Sequence, residues 1–193
     1  MNIAVMMKRI REASPRFKAR VAGVFYLLSV LTAVFAEAFV SGRLLFAVGL
    51  IPVLCFIAVT LLLYGIFKPV NRGLSLLATC ANLIGLAFEA LELQLQEVNV
   101  ALVFHGFYCL LIGYLIIRST FLPRILGVLM AVAGLAWLTS LSPPLADYLH
   151  LYSQAVGFLG EGLPMLWLLV RGVDVSKWKE KAGLGSAGTA SVL

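Results

Sequence analysis

VNVALVFHGFYCLLIGYLII, residues Val98–Ile117, is an apolar stretch that contains no Asp, Glu, Lys or Arg and a single histidine, His105. A helix of about 20 residues rises about 30 Å, which matches the hydrocarbon thickness of a bilayer. Lipid offers no hydrogen-bond partner to backbone N–H and C=O groups, so such a stretch crosses a membrane as an α-helix. We therefore predict a transmembrane helix here.

Similar apolar stretches lie on both sides of this one. The chain of 193 residues is 62% hydrophobic and 12% charged, which is more apolar surface than a soluble domain of this length can bury. The alternation that marks a transmembrane β-barrel is absent. The sequence predicts an all-α, polytopic integral membrane bundle of six transmembrane helices. The other five are Val21–Val40, Leu44–Phe67, Leu74–Leu95, Phe121–Leu141 and Leu151–Val170.

The net charge of +6 is explained by topology. If the N-terminus is cytoplasmic, every Lys and Arg except Arg43 falls in a cytoplasmic segment. This is the positive-inside pattern of a multi-pass protein, so it argues against nucleic acid as a partner. We expect both termini in the cytoplasm, the lipid bilayer as partner, and the cell membrane, in bacteria the inner membrane, as location.

The chain divides into three parts by composition. Residues 1–20 form a basic cytoplasmic arm, residues 21–173 the six-helix transmembrane domain, and residues 174–193 a cytoplasmic tail that is predicted to be mobile. Short connections make sequential helices antiparallel neighbours. The longest outer connection is predicted at Ser142–His150, and Trp137 is assigned to the aromatic belt at the outer interface.

Several motifs resemble a bacterial six-helix family, domain-of-unknown-function family 4386. The most specific is the run Gly113–Gly127, GYLIIRSTFLPRILG, and the resemblance extends from about Arg20 to Val173. It implies a multi-pass topology and a membrane location, and it implies no activity. The other motifs that carry it are Arg20–Gly23, Lys68–Arg72, Gly160-Glu161 and Leu166–Val170.

Ionisable side chains inside the predicted spans are the candidate functional residues. Such groups are rare in hydrocarbon, and they mark pathways or sites by default. Glu161 lies about 15 Å below the outer end of its helix, and Glu89 and His105 lie about 10 Å below theirs. Glu37 and Glu92 are closer to the surface, where hydration alone could accommodate them. All of these residues are predicted in the outer half of the bundle.

Polar residues share helix faces with these groups. Asn82, Glu89 and Glu92 follow helical spacing on the third span, and Gln154 and Glu161 follow it on the sixth. Such stripes are expected to face the interior or a water-filled cavity. Pro164 cannot donate to the carbonyl of Gly160, which leaves a free acceptor beside Glu161. The predicted ligand- or ion-binding set is Glu37, Asn82, Glu89, Glu92, His105, Gln154 and Glu161.

The same side chains suggest a metal. Carboxylates with one imidazole can hold a divalent cation, and Glu89, His105 and Glu161 are the candidate ligands. The Glu-x-x-His motif of di-metal bundles is absent. The three cysteines lie on different predicted helices, and Cys109 is expected to be a small buried hydrophobe.

These residues leave three functions open. The first is binding or transport of a small ligand, proton or cation through an outward-opening polar cavity. The second is a metal-assisted intramembrane enzyme that acts on a lipid-like substrate. The third is an accessory subunit or scaffold, as a homo-oligomer or in a larger membrane complex, for which Gly127, Ala131 and Gly134 offer a small-residue face.

Overall fold

The computed structural model describes residues 14–39, 43–91 and 98–183, and every regular element in these ranges is a helix. In chain order these are α1 (Pro15–Phe39), α2 (Arg43–Phe67), α3 (Arg72–Ala90), α4 (Val100–Arg118), α5 (Arg124–Trp137), α6 (Pro143–Val170) and α7 (Val175–Lys181). A 3₁₀ turn, Leu138–Leu141, extends α5. Helices α1 to α6 are long and apolar enough to cross a membrane, which confirms the predicted fold class.

The six long helices form a closed ring. Each packs against its neighbours in sequence, and α6 also packs against α1. At that closure, the Arg20 guanidinium donates to the carbonyl oxygen of Val170 at 3.4 Å, so the start of α1 lies beside the end of α6. Short connections between antiparallel helices produce this order.

Polar and apolar side chains are distributed as in a membrane protein. Each long helix exposes large hydrocarbon side chains, as Leu54 on α2, Leu135 on α5 and Leu159 on α6 illustrate. Conversely, Thr60, Asn82 and other polar groups are buried in the bundle together with Glu161. Water would oppose this arrangement, whereas lipid favours it. The protein is therefore an integral, multi-pass membrane protein.

Helices α4 and α5 pack closely along a seam of glycines. A Cβ atom built on Gly113 would lie 2.7 Å from the carbonyl oxygen of Gly127, and one on Gly106 would lie 2.9 Å from that of Gly134. The two glycines on each helix are seven residues apart, so they form one seam. The small-residue face of α5 is therefore used inside the chain.

Several helix boundaries differ from the sequence prediction, and α1 begins at Pro15, within the predicted arm. The segment from Ser142 to His150 was predicted as a loop, but α6 already begins at Pro143. Proline at the first position of a helix loses no hydrogen bond and has a suitable φ, so it starts the helix. Helix α3 ends at Ala90, and Leu91 caps it, so Glu89 lies in its last turn.

The part of the tail that is described is packed on the bundle. The Asp174 carboxylate accepts from the backbone N–H of Ser176 at 3.0 Å and caps α7. On α7, the indole N–H of Trp178 donates to the carbonyl oxygen of Ile66 at 2.8 Å. Mobility of the tail and the cytoplasmic side of both termini stay predictions. Most of the predicted arm, residues 1–13, lies outside the described ranges, as do residues 184–193.

Candidate functional site: a buried histidine–glutamate pair

A carboxylate lies at the centre of the ring. Glu161 on α6 is 3% exposed, and its Oε1 atom lies 2.9 Å from Nε2 of His105 on α4. The indole N–H of Trp137, at the end of α5, donates to the same oxygen. Three helices therefore meet at one carboxylate oxygen.

Hydrogen bonds on the other side of His105 orient its ring. Nδ1 of His105 lies 3.0 Å from Oδ1 of Asn82, and Nδ2 of Asn82 donates to Oγ1 of Thr60 at 2.7 Å. The Thr60 hydroxyl in turn donates to the carbonyl oxygen of Phe56 at 2.8 Å. Because the Asn82 amide group turns its NH₂ toward Thr60, its oxygen faces the imidazole. Nδ1 of His105 is therefore the protonated nitrogen of this contact.

This orientation leaves one proton between His105 and Glu161. With Nδ1 protonated, Nε2 of a neutral ring is an acceptor, and so is a carboxylate oxygen. Two acceptors at 2.9 Å repel each other unless a proton lies between them. The proton belongs either to an imidazolium beside a carboxylate or to a carboxylic acid beside a neutral ring. Both arrangements are electrically neutral, which lowers the free-energy cost of burying the pair in hydrocarbon.

Aromatic rings and one thiol enclose the pair. The rings of Phe56, Tyr108 and Trp137 have centroids 5.3, 5.8 and 6.1 Å from that of His105. The thiol sulfur of Cys109, one turn after His105 on α4, lies 3.6 Å from Nε2. The Tyr108 hydroxyl is buried close to Thr60. The pair thus lies among hydrocarbon and weakly polar groups, where its electrostatic interactions are strong.

The site lies within the membrane-spanning helices, nearer the start of α4 at Val100 than its end. His105 precedes the end of α4 at Arg118 by thirteen residues, and Glu161 precedes the end of α6 at Val170 by nine. These separations correspond to about 20 Å and about 14 Å of helix. The hydrogen-bonded groups come from α2, α3, α4, α5 and α6, so five of the six spans contribute directly.

Glycines on α6 give the site its close packing. A Cβ atom on Gly157 would overlap the indole of Trp137, and one on Gly160 would lie 2.6 Å from the carbonyl oxygen of Leu129. The absence of side chains at both positions lets α6 approach α5 closely enough for Trp137 to reach Glu161. Pro164, one turn further along, is buried within α6.

The predicted site residues divide into three groups. Asn82, His105 and Glu161 lie together in the central network. Glu89 is exposed in the last turn of α3, close enough to His105 for an electrostatic interaction. Gln154 is exposed on α6, where its amide nitrogen Nε2 lies 3.2 Å from Nε2 of His150. The side chain of Glu37 and all of Glu92 lie outside the described residues.

The structure adds three residues that sequence reasoning did not place at the site. Trp137 was assigned to the outer interface, but it is 7% exposed and donates to Glu161, because Gly157 makes room for its ring. Thr60 gave no signal, since hydroxyl groups are common in transmembrane helices. Cys109 was expected to be an inert buried residue, and its position four residues after His105 was the available signal.

Metal-ligand atoms also converge here. Donor atoms of His105, Cys109 and Glu161 all lie within 4.8 Å of one another. This group differs from the predicted set, because Cys109 takes the place expected for Glu89. Imidazole, thiolate and carboxylate together suit a borderline-soft divalent cation such as zinc.

Comparison with known proteins agrees with the class of protein that this fold defines. The class is a multi-pass integral membrane protein. The family described as Domain of unknown function (DUF4386) matches residues 89–172, which contain His105, Trp137 and Glu161 and confirm the resemblance seen in the sequence. An uncharacterised protein of the archaeon Archaeoglobus fulgidus is 24% identical over 132 residues, which cover 63% of this chain and 79% of that protein. No solved structure matches.

Proposed function

We propose that this membrane protein binds and releases a proton at the His105–Glu161 pair as a step in transport. The observation that supports the proposal is the distance of 2.9 Å between Nε2 of His105 and Oε1 of Glu161, which requires a proton between two acceptor atoms. Loading a second proton gives the pair a net charge of +1, and removing the shared proton gives −1, so each event changes the charge of a site buried among the membrane-spanning helices. A charge of either sign is strongly disfavoured there, which couples protonation to movement of the surrounding helices or of a counter-ion.

Access from the outer end fits the side chains on either side of the pair. Toward the basic end, the neighbouring positions hold buried hydrocarbon, including Ile112, Met165 and Leu168. Toward the opposite end, Oγ1 of Thr139 lies 3.4 Å from Oγ of Ser153, and Ser140 is buried beside them. Hydroxyl groups can relay protons or hold water, whereas hydrocarbon cannot. The proposal therefore places the entrance at the outer end.

Proton flux in proteoliposomes tests this proposal. Protein reconstituted around a pH-sensitive dye should dissipate an imposed pH gradient, and Glu161→Gln and His105→Gln should abolish the flux. Asp147→Asn is the matched control, because Asp147 is an exposed carboxylate on the same helix. Flux in Glu161→Gln equal to that of the wild-type protein would refute the proposal.

Infrared spectroscopy separates loss of function from loss of folding. If Glu161 exchanges a proton with the bulk phase, the carboxyl C=O band of the detergent-solubilised protein should change with pH, and this component should vanish in Glu161→Gln. Asp147→Asn should leave it in place. Thermal unfolding of each variant shows that the comparison is made between folded proteins.

A metal centre is the second candidate, because the donor atoms of His105, Cys109 and Glu161 converge. A cation bound there would replace the shared proton and leave a coordination position open, as in catalytic zinc sites. Elemental analysis of purified protein should then find one zinc per chain, reduced in Cys109→Ser and unchanged in Cys80→Ser, whose thiol is exposed. Absence of stoichiometric metal after purification without chelators would count against this candidate.

A further inference from the structure

A second polar site lies at the opposite depth of the molecule, where the helices carry their basic residues. A cavity of about 330 Å³ opens between the α2–α3 connection, the end of α4, the start of α5 and α7. Three of the side chains that line it are cations, Arg118, Arg124 and Lys181. No Asp or Glu lines it.

The charge of this cavity is not neutralised by the described parts of the chain. The ion pairs among the described residues are His105–Glu161 and Lys177–Asp174, and neither involves a cation of the cavity. Like charges brought together around one space repel each other, so an anion within that space would stabilise the arrangement. Arg124 is also the first residue of α5, so the positive end of that helix dipole lies at the same place.

Neutral hydrogen-bond donors complete the lining. Oδ1 of Asn71 accepts from the backbone N–H of Leu74 at 3.0 Å, which leaves the NH₂ group of Asn71 for another acceptor. Thr120 is exposed at the cavity, and Tyr114 lies on its rim with 47% of its surface exposed. Guanidinium forks, an ammonium group and amide donors around one space match the oxygens of a phosphate group.

We propose that this cavity binds a phosphate group, carried either by an anionic phospholipid or by a soluble ion. The volume of about 330 Å³ accommodates a phosphate ester headgroup. Its position at the basic ends of the helices is the depth at which lipid headgroups lie. The proposal is independent of proton binding at His105–Glu161, which lies at the centre of the ring.

Binding of phosphate-bearing probes to the full chain tests the proposal. The protein is purified in a neutral detergent and titrated with phosphatidylglycerol and, separately, with inorganic phosphate, and the bound species are counted by native mass spectrometry. Arg118→Gln/Arg124→Gln should weaken binding about tenfold for each arginine removed. Lys68→Gln/Arg72→Gln is the matched control, because it removes the same charge near the same membrane face without altering the lining of the cavity.

Each outcome decides the question. Retention of phosphatidylglycerol by the wild-type protein and the control pair, with loss in Arg118→Gln/Arg124→Gln, supports a lipid headgroup. The same pattern with inorganic phosphate alone supports a soluble ion, and competition between the two probes shows that both bind through the phosphate group at this cavity. Equal weakening in both double variants would show general attraction of anions to a basic face and would overturn the proposal, as would no binding of either probe.

Discussion

The centre of the bundle and its basic end differ in whether the ionisable side chains neutralise each other. At the centre, His105 and Glu161 satisfy each other at 2.9 Å and are enclosed by groups from five helices. At the basic end, Arg118, Arg124 and Lys181 line an open cavity with no carboxylate among the lining residues. Hydrocarbon tolerates ionisable groups only as neutral sets, whereas the interface tolerates excess cations because water and anions surround them. The comparison predicts that substitutions at the centre affect stability and that those at the basic end mainly affect binding.

The largest effect is expected for Glu161→Ala. It leaves the indole N–H of Trp137 and Nε2 of His105 without their common partner in a buried site. Removing one member of a buried ion pair typically costs about 3 kcal/mol. Unfolding in mixed detergent micelles measures the change, and Arg124→Gln serves as the comparison at the basic end. Equal losses of stability in the two variants would contradict the prediction that stability depends mainly on the centre of the bundle.

A smaller effect is expected for Gly157→Ala, because the new methyl group overlaps the indole of Trp137. Overpacking of this kind costs about 1 to 3 kcal/mol, and here it also pushes Trp137 away from Glu161. Tryptophan fluorescence and unfolding should both change. Gly162→Ala is the control, since nothing lies within 4 Å of a Cβ atom built there. Identical behaviour of the two variants would show that Trp137 is not held by this contact.

Asn82→Leu should have a lesser effect on stability and a specific effect on His105. It removes the acceptor that holds the proton on Nδ1, and an unpaired buried donor costs about 1 to 2 kcal/mol. The nitrogen NMR signals of His105 should then report a changed tautomer or protonation state. Thr79→Val, a change at a neighbouring buried hydroxyl of α3, should leave these signals unaltered. A change of similar size in both variants would contradict the orienting role of Asn82.

The smallest effect belongs to the basic end, at Asp174. The hydroxyl of Ser176 and the backbone N–H of Lys177 donate to its carboxylate and hold its pKa below the ordinary value. A depressed pKa means that the cap of α7 is complete above the ordinary carboxyl pKa and is lost as the pH falls through the lowered one. Amide exchange of α7 should therefore accelerate in acid. Asp174→Asn, which keeps a capping oxygen, should remove this pH dependence. If amide exchange in this variant still accelerates in acid, a group other than Asp174 is responsible.

Much of the fold follows from local sequence, and part of the site does not. Apolar length and the positions of Lys and Arg define the helices, and depth along each helix brings His105 and Glu161 to similar levels. The start of α6 was missed because Pro143 is as compatible with a loop as with a first helical turn. Trp137 and Thr60 were missed because helix rotation, which depends on packing at Gly157 and elsewhere, decides which side chains face the centre.

The glycine seam between α4 and α5 has a consequence for assembly. Its contacts join helices that are adjacent in the chain, so this hairpin can associate as soon as both helices have entered the membrane. His105 and Trp137 are then brought near each other before α6 has been synthesised. Until α6 arrives, both side chains lack the carboxylate that they share in the finished protein. A chain that stops before Glu161 would therefore leave both groups in the membrane without that hydrogen-bond partner.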